Sequence, residues 1–368
     1  MPQVPEVAAK AYLLMDVTSG QVLASLNPDQ AVEPASLTKL MTAYIVFDAL
    51  KAGKITLAQT MPVSERAWKM PGSRMFIDPK MQVPVEDLIK GMIVQSGNDA
   101  TVALAEGLAG SVERFVELMN AQAKALGMNA TGYRNTEGLT EAGHTTTARD
   151  LSILATRLMA DFPQYVPFYA IQRYRYPGTP ATNDTNRNLL LFRDPSVDGL
   201  KTGHTNAAGY CLVATARRQV PGLGEGAQGQ RRLVSILLGA TSENARAAET
   251  QKLLNWGYTA FDAVRLFPAG EPVATPRVWK GKSEQVRLGR PEGVVVTVPA
   301  GEGARLKSEV IRPDPLVAPL KRGDTVGKLR VTLASGATVA EIPLTVMDTV
   351  EESGVFGRAW DAIRLWIQ

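Results

Sequence analysis

The feature that most constrains this chain is the run "PASLTKLMTAYIVFDAL" at residues 34–50. A polar start turns there into a helix that is apolar around more than one stripe. Leu37, Leu40, Met41, Tyr44, Ile45, Val46 and Phe47 leave no broad polar face, so the spacing predicts a central, buried helix from about Ser36 to Leu50. Ser36 and Lys39 stand three apart at its start and so share a face. A lysine that close to an interior is costly unless it has a partner or a task.

The rest of the chain supplies what such a helix needs around it. "AYLLMDVTSGQVLASLN" reads as a hairpin, strands Ala11–Asp16 and Gln21–Leu26 about a Thr-Ser-Gly turn. From Val85 to about Phe162 the periodicity is mostly helical. "GYCLVATARR" and "RRLVSILLGAT" read as later strands joined by an exposed loop, 220–230, and "NARAAETQKLLNWGYTAF" as a long helix. This order predicts an α+β domain, an antiparallel sheet with helices on it plus a helical lobe. After Phe261 the texture changes to two-residue alternation broken at Gly-rich turns ("GVVVTVPAG", "DTVGKLRVTLASGATVAEIPLTV"). That predicts a small all-β sandwich domain over about 265–349. "GVFGRAWDAIRLWIQ" then returns to helical spacing as an amphipathic C-terminal helix. The expected domains are 1–263, 264–349 and a tail, 350–368.

Composition excludes several classes. With 368 residues, 45% apolar and 21% charged, the chain is globular and large enough for two domains. Its net charge of +4 comes without a Lys/Arg run, so no nucleic-acid partner is expected. One cysteine, Cys211, and two histidines, His144 and His204, are too few for a usual zinc site, so neither metal nor cofactor is expected. Cys211 reads as a buried strand residue and His144 as a loop or cap residue. No apolar run of about 18 residues is present to span a bilayer. "MPQVPEVAAK" lacks the apolar centre of a signal peptide, so export would imply a leader already removed.

Three short motifs carry chemistry together. S-x-x-K occurs once, at Ser36–Lys39; K-T-G occurs once, at Lys201, Thr202 and Gly203; S-x-N occurs at Ser96–Asn98 in "VQSGNDA" and at two other places. Alone, each is compatible with a surface serine, a turn or a strand end. In this order, at the start of a buried helix, at a helix junction and running into a strand, they match the motif set of penicillin-binding proteins and class A β-lactamases.

The match goes beyond the trio. "PASLTKLMT", "QVPVEDLIKGMIVQSGNDA", "VDGLKTGHTNAAGY" and "KLLNWGYTAFD", followed by a β domain and an amphipathic tail, closely resemble the D-alanyl-D-alanine carboxypeptidases of the penicillin-binding protein 5/6 family. The loop "WKMPGSRMF" is shorter than the family's, and the 220–230 loop longer. The resemblance implies that Ser36 is the nucleophile and Lys39 its base, with Ser96 relaying a proton. It implies that Asn98 binds the substrate amide and Lys201 completes the electrostatics. The N–H groups of Ser36 and His204 would form an oxyanion hole, and the strand around Lys201, through Gly203, would pair with substrate backbone. Thr202, Thr205, Arg246 and Arg187 would hold the terminal carboxylate. The implied partners are peptidoglycan pentapeptide stems, β-lactams acylating Ser36, and the membrane surface bound by the tail. The implied location is the periplasm, at the outer face of the inner membrane.

Two other readings share parts of this pattern. A class A-like β-lactamase needs a carboxylate to activate the deacylating water, for which Glu137 is the candidate, but such enzymes lack the β domain. A non-catalytic peptidoglycan-binding scaffold has no need of a serine–lysine pair. For Lys39 to act as a base it must be neutral, and burial and the charge of Lys201 would both lower its pKa.

Overall fold

The computed structural model describes residues 2–224 and 229–354. The chain divides into two compact units, one of Gln3–Arg218 with Arg232–Gly257, the other of Gln219–Arg231 with Tyr258 onward. In the first, the hairpin strands β1 (Ala11–Asp16) and β2 (Gln21–Leu26) lie where the alternation predicts them. A 3-10 turn, Ala35–Thr38, leads into α1 (Lys39–Lys51). The α-helix thus starts three residues later than its sequence spacing suggests. In a 3-10 turn residues three apart eclipse one another, so Ser36 and Lys39 still face the same way. Lys39, Leu40, Met41, Thr42, Ala43, Tyr44, Val46 and Phe47 are all buried, as expected of a helix apolar on more than one side.

A short ribbon, β3 (Thr60–Pro62) with β4 (Gln82–Pro84), and the single turn α2 (Glu65–Trp68) precede the helical lobe. That lobe holds α3 (Val85–Val94), α4 (Asn98–Ala109), α5 (Val112–Leu126) and α6 (Ala148–Asp161). Ser111 and Thr147 cap α5 and α6 by accepting the N–H groups of Arg114 and Asp150. Between α5 and α6 the Asn-, Gly- and Thr-rich stretch 127–147 is irregular, tied to the fold by isolated bridges Val32–Thr146 and Gly132–Thr145. It brings Glu137 and Gly138 against the start of α1.

After the single turn α7 (Leu190–Arg193) the chain forms β5 (Val197–Thr205), β6 (Gly209–Gln219) and β7 (Gln230–Ala240), then α8 (Glu243–Thr259). The sheet order is β2-β1-β7-β6-β5. The K-T-G stretch is therefore a strand of its own, and β5 forms one edge of the sheet among the described residues. Leu37, Met41, Val46, Phe47, Leu88, Leu104, Leu151, Val213 and Ile236 belong to one continuous apolar core.

The second unit contains an antiparallel pair of β8 (Phe261–Phe267) with β12 (Val294–Pro299), and a parallel pair of β10 (Val278–Trp279) with β14 (Leu316–Val317). Its five-stranded sheet runs β13-β15-β16-β11-β9, with β9 at Pro272–Ala274, β11 at Leu288–Gly289, β13 at Lys307–Ile311, β15 at Thr325–Thr332 and β16 at Thr338–Val346. Val296, Val298, Leu288, Leu329, Val331 and Leu344 fill its own core, which makes it the all-β domain expected from the two-residue alternation. The expected amphipathic helix at the C terminus lies outside the described residues.

Candidate active site

Three elements converge on one cleft of about 190 Å³: the start of α1, the α3–α4 junction and the edge strand β5. Ser36, Ser73, Ser96, Arg187, Thr202, Gly203, His204, Tyr210, Glu243 and Arg246 line it.

Ser36 sits half-buried in the 3-10 turn, and the Lys39 Nζ lies 3.0 Å from its Oγ. Lys39 is only 1% exposed. Its ammonium also meets Asn98 Oδ1 at 2.8 Å and the backbone carbonyl of Glu137 at 2.8 Å. Burial pushes the Lys39 pKa down to about 7; the Glu137 and Asp99 carboxylates oppose this, and the Arg187 charge adds to it. Lys201 is 3% exposed and donates to Ser96 Oγ at 2.9 Å. Burial, then the charges of Lys39, Arg187 and Arg246, hold its pKa well below the usual lysine value. The charge that lowers the Lys39 pKa is that of Arg187 and not, as expected, that of Lys201, whereas Lys39 does lower the pKa of Lys201.

Close approach of backbone makes this geometry possible. A Cβ at Gly203 would lie 3.2 Å from Ala35 Cβ, Leu37 N and Pro34 O. The glycine of K-T-G therefore lets β5 press against the turn that bears Ser36. Ala35 and Ser96 both hold φ in the left-handed region, 48° and 57°. Such backbone is costly for residues with a Cβ and tends to mark functional sites.

Asn98 opens α4. Its Nδ2 donates to Pro71 O at 2.7 Å and its backbone N–H to Ser73 O at 2.7 Å. The neighbouring Asp99, just outside the S-x-N motif, accepts the N–H groups of Met75, Phe76 and Ile77. One buried carboxylate thus fixes the loop that presents Ser73 to the cleft. Its only sequence signal was its place directly after S-x-N.

At the far end, Arg246 is 3% exposed and donates to the carbonyls of Gly203 (3.5 Å) and Arg187 (3.2 Å). Arg187 lines the same cleft, and its side chain donates to Asn183 Oδ1. Lys39, Asn98, Lys201 and Thr205 are not among the residues lining the cleft; the first three are tied to it by the bonds among Ser36, Lys39, Asn98, Ser96 and Lys201, whereas the Thr205 hydroxyl donates to Glu33 Oε2 at 3.1 Å. Glu137 presents its backbone carbonyl to Lys39, while its carboxylate accepts from the N–H and hydroxyl of Thr136. A water-activating role, as in a β-lactamase, finds no support in that orientation. His144 is buried, accepts the Arg134 N–H on Nδ1 and so donates from Nε2 to Thr38 Oγ1; burial pushes its pKa down to about 4. It is a neutral structural histidine. Cys211 is buried in β6, where burial raises its thiol pKa.

The arrangement can activate a hydroxyl with an amine, relay a proton through a second hydroxyl and receive an anion at an arginine. Residues 1–241 match the family model described as D-alanyl-D-alanine carboxypeptidase, and residues 261–352 match the C-terminal domain of penicillin-binding protein 5. The D-alanyl-D-alanine carboxypeptidase DacC of Escherichia coli (strain K12) is 43% identical, over 99% of this chain and 89% of that protein. The crystal structure of penicillin binding protein 5 from Haemophilus influenzae superposes with a TM-score of 0.86 at 37% identity, covering 96% of this chain and 100% of that one. Penicillin-Binding Protein D2 from Listeria monocytogenes, solved in its ampicillin-bound form, matches at a TM-score of 0.61 and 29% identity, over 70% of this chain and 100% of that one. With these similarities spanning both units, the chain belongs to the D-alanyl-D-alanine carboxypeptidases of the penicillin-binding protein 5/6 family.

Proposed function

We propose that this carboxypeptidase works as a serine enzyme, removing the terminal D-alanine from peptidoglycan pentapeptide stems through an acyl-enzyme on Ser36. The observation that carries the reading is the Lys39 Nζ, buried and 3.0 Å from Ser36 Oγ, with its pKa lowered to about 7. A free hydroxyl is a poor nucleophile; a neutral amine at that distance can take its proton as attack begins.

Ser36 Oγ bonds to the carbonyl carbon of the D-Ala–D-Ala peptide, and Lys39 receives the hydroxyl proton. The N–H groups of Ser36 and His204 face the developing oxyanion; losing one such donor typically costs about 3–4 kcal/mol of transition-state stabilisation. As the C–N bond breaks, the proton held by Lys39 passes to the leaving amine through the Ser96 hydroxyl, which Lys201 Nζ holds at 2.9 Å, and Lys39 is neutral again. Water then adds to the ester carbonyl and gives a proton to Lys39, which returns it to Ser36 Oγ as the ester C–O bond breaks. Asn98 holds the substrate amide, and the open edge of β5 accepts substrate backbone as an added strand. Thr202, Arg246 and Arg187 receive the terminal carboxylate. Thr205 joins them once its bond to Glu33 is exchanged.

A β-lactam would acylate Ser36 by the same attack and leave slowly; the ampicillin-bound Listeria relative supports this reading. The substrate and the amphipathic spacing of 355–367 support a location in the periplasm, with the tail on the outer face of the inner membrane.

The test is penicillin treatment followed by digestion and mass spectrometry, beside an assay of D-alanine release from a pentapeptide. The expected result is one adduct, on the peptide carrying Ser36, lost together with D-alanine release in Ser36→Ala. An adduct elsewhere, for example on Ser96, overturns the assignment.

A further inference from the structure

Tyr210 was not singled out by any motif, yet it stands between two residues of the site. It is the second residue of β6 and pairs across the ladder with His204 of β5, so both rings rise from the same face of the sheet. The rings stack at 4.1 Å between centroids and 29° between planes. The Arg246 guanidinium from α8 lies 5.6 Å from the Tyr210 ring centroid. All three residues line the cleft.

Arg246 needs such a wall. It is buried, its pKa is lowered chiefly by burial, and its bonds to protein are two carbonyl contacts of 3.5 and 3.2 Å and a Glu243 carboxylate 3.9 Å away. Those contacts are long for charge-assisted bonds. An aromatic face at this distance attracts the cation without using its N–H donors. The donors remain available to an incoming carboxylate, and the guanidinium keeps one orientation. The His204 ring, itself exposed, closes the opposite side of Tyr210.

We propose that Tyr210 is a positioning residue for substrate selection: its ring fixes Arg246 for the terminal carboxylate and braces the strand position of His204. This rests on the reading that Arg246 meets that carboxylate.

The test uses reactive N-acyl-D-alanyl thioesters, so that turnover does not depend on a good fit. One has a leaving group ending in a carboxylate; the other is its methyl ester. In Tyr210→Leu, kcat/KM for the acid should fall about tenfold, the middle of the range a lost cation–π contact gives, while the methyl ester stays within about twofold. Tyr210→Phe keeps the ring and should match the parent on both compounds. Equal losses on acid and ester in Tyr210→Leu, or a loss of acid preference in Tyr210→Phe, would overturn the proposal. Arg246→Leu is run beside them. If that variant keeps the acid preference, it is the role of Arg246 that fails. If it loses the preference and Tyr210→Leu does not, Tyr210 alone is refuted.

Discussion

Gly138 lies directly on the peptide that precedes the nucleophile: a Cβ there would fall 1.8 Å from the Ala35 carbonyl oxygen and 2.9 Å from the Ser36 nitrogen. Its φ is +98°, a conformation that side chains avoid. Ala35 is itself left-handed, at φ 48°. The irregular 127–147 segment therefore buttresses the turn that aims Ser36, and only a residue without a side chain lets it come so close. Gly138→Ala should destabilise the protein by roughly 2–4 kcal/mol, from backbone strain and overpacking. In whatever remains folded, penicillin acylation should slow as well. Denaturant unfolding and acylation rates check this; native stability with native acylation would show the contact to be slack.

Lys39 gives the pH dependence its sign. With its pKa near 7, the lysine is mostly protonated below that pH and unable to accept the Ser36 proton. Acylation should rise about tenfold per pH unit on the acid side and level off above neutrality. Stopped-flow acylation from pH 5.5 to 9 measures it, and a rate that is flat from pH 6 to 8 would remove Lys39 from the role of base. Lys39→Ala should cost roughly a hundredfold or more in acylation while the fold persists.

Glu243 stands at the carboxylate end of the cleft, half-exposed and 3.9 Å from Arg246 Nη2. It competes for the cation that the substrate carboxylate needs. Glu243 is half in solvent and 3.9 Å is too long for a hydrogen bond, so Glu243→Gln should lower KM for a D-Ala-D-Ala peptide by only about two- to fivefold, with kcat little changed. Added salt should shrink the difference between the two proteins. A KM that rises on substitution would mean that the carboxylate supports Arg246 instead of competing with it.

The residues legible in the sequence are those whose role is carried by side chains at short, fixed spacing. Ser36 and Lys39 could be paired because three residues make one turn in either helix type. The burial of α1 could be read because its apolar positions cover more than one stripe. What Glu137 and Gly138 do was hidden for a physical reason: one contributes a backbone carbonyl and the other the absence of a side chain. Tyr210 and Glu243 come to the cleft from β6 and α8 through the sheet order and helix packing, which local spacing does not encode. Asp99 sat beside a motif but acts on a loop more than 20 residues earlier, bonding Met75, Phe76 and Ile77. The strand β5 was blurred because its glycines and lysine, needed for close approach and for the site, replace the apolar alternation that would announce a strand.

The last prediction concerns the tail, which lies outside the described residues, so its case rests on spacing alone. Val355, Phe356, Ala359, Trp360, Ile363, Trp366 and Ile367 recur at steps of one and three, which gathers them on one face of a helix; Arg358, Asp361 and Arg364 fall on the other. Tryptophans on the apolar side and arginines on the polar side are the make-up of a helix that lies in a membrane interface. The same stripe could instead pack on protein, since short amphipathic helices commonly bury their apolar face that way. The stretch "TVEESG" just before it is not the free link its polarity suggests: Val350 is buried and bridges Leu320, Glu352 bridges Gly281, and the Ser353 N–H donates to the Lys280 carbonyl, so the case for the membrane rests on the tryptophans and arginines of the tail itself. Liposome flotation separates the two. With anionic lipid present, the full chain should float and a chain ending at Ser353 should not, and salt should weaken the binding through the arginines. If both chains float alike, or neither does, the tail is no anchor, while D-alanine release by Ser36 is untouched by that outcome.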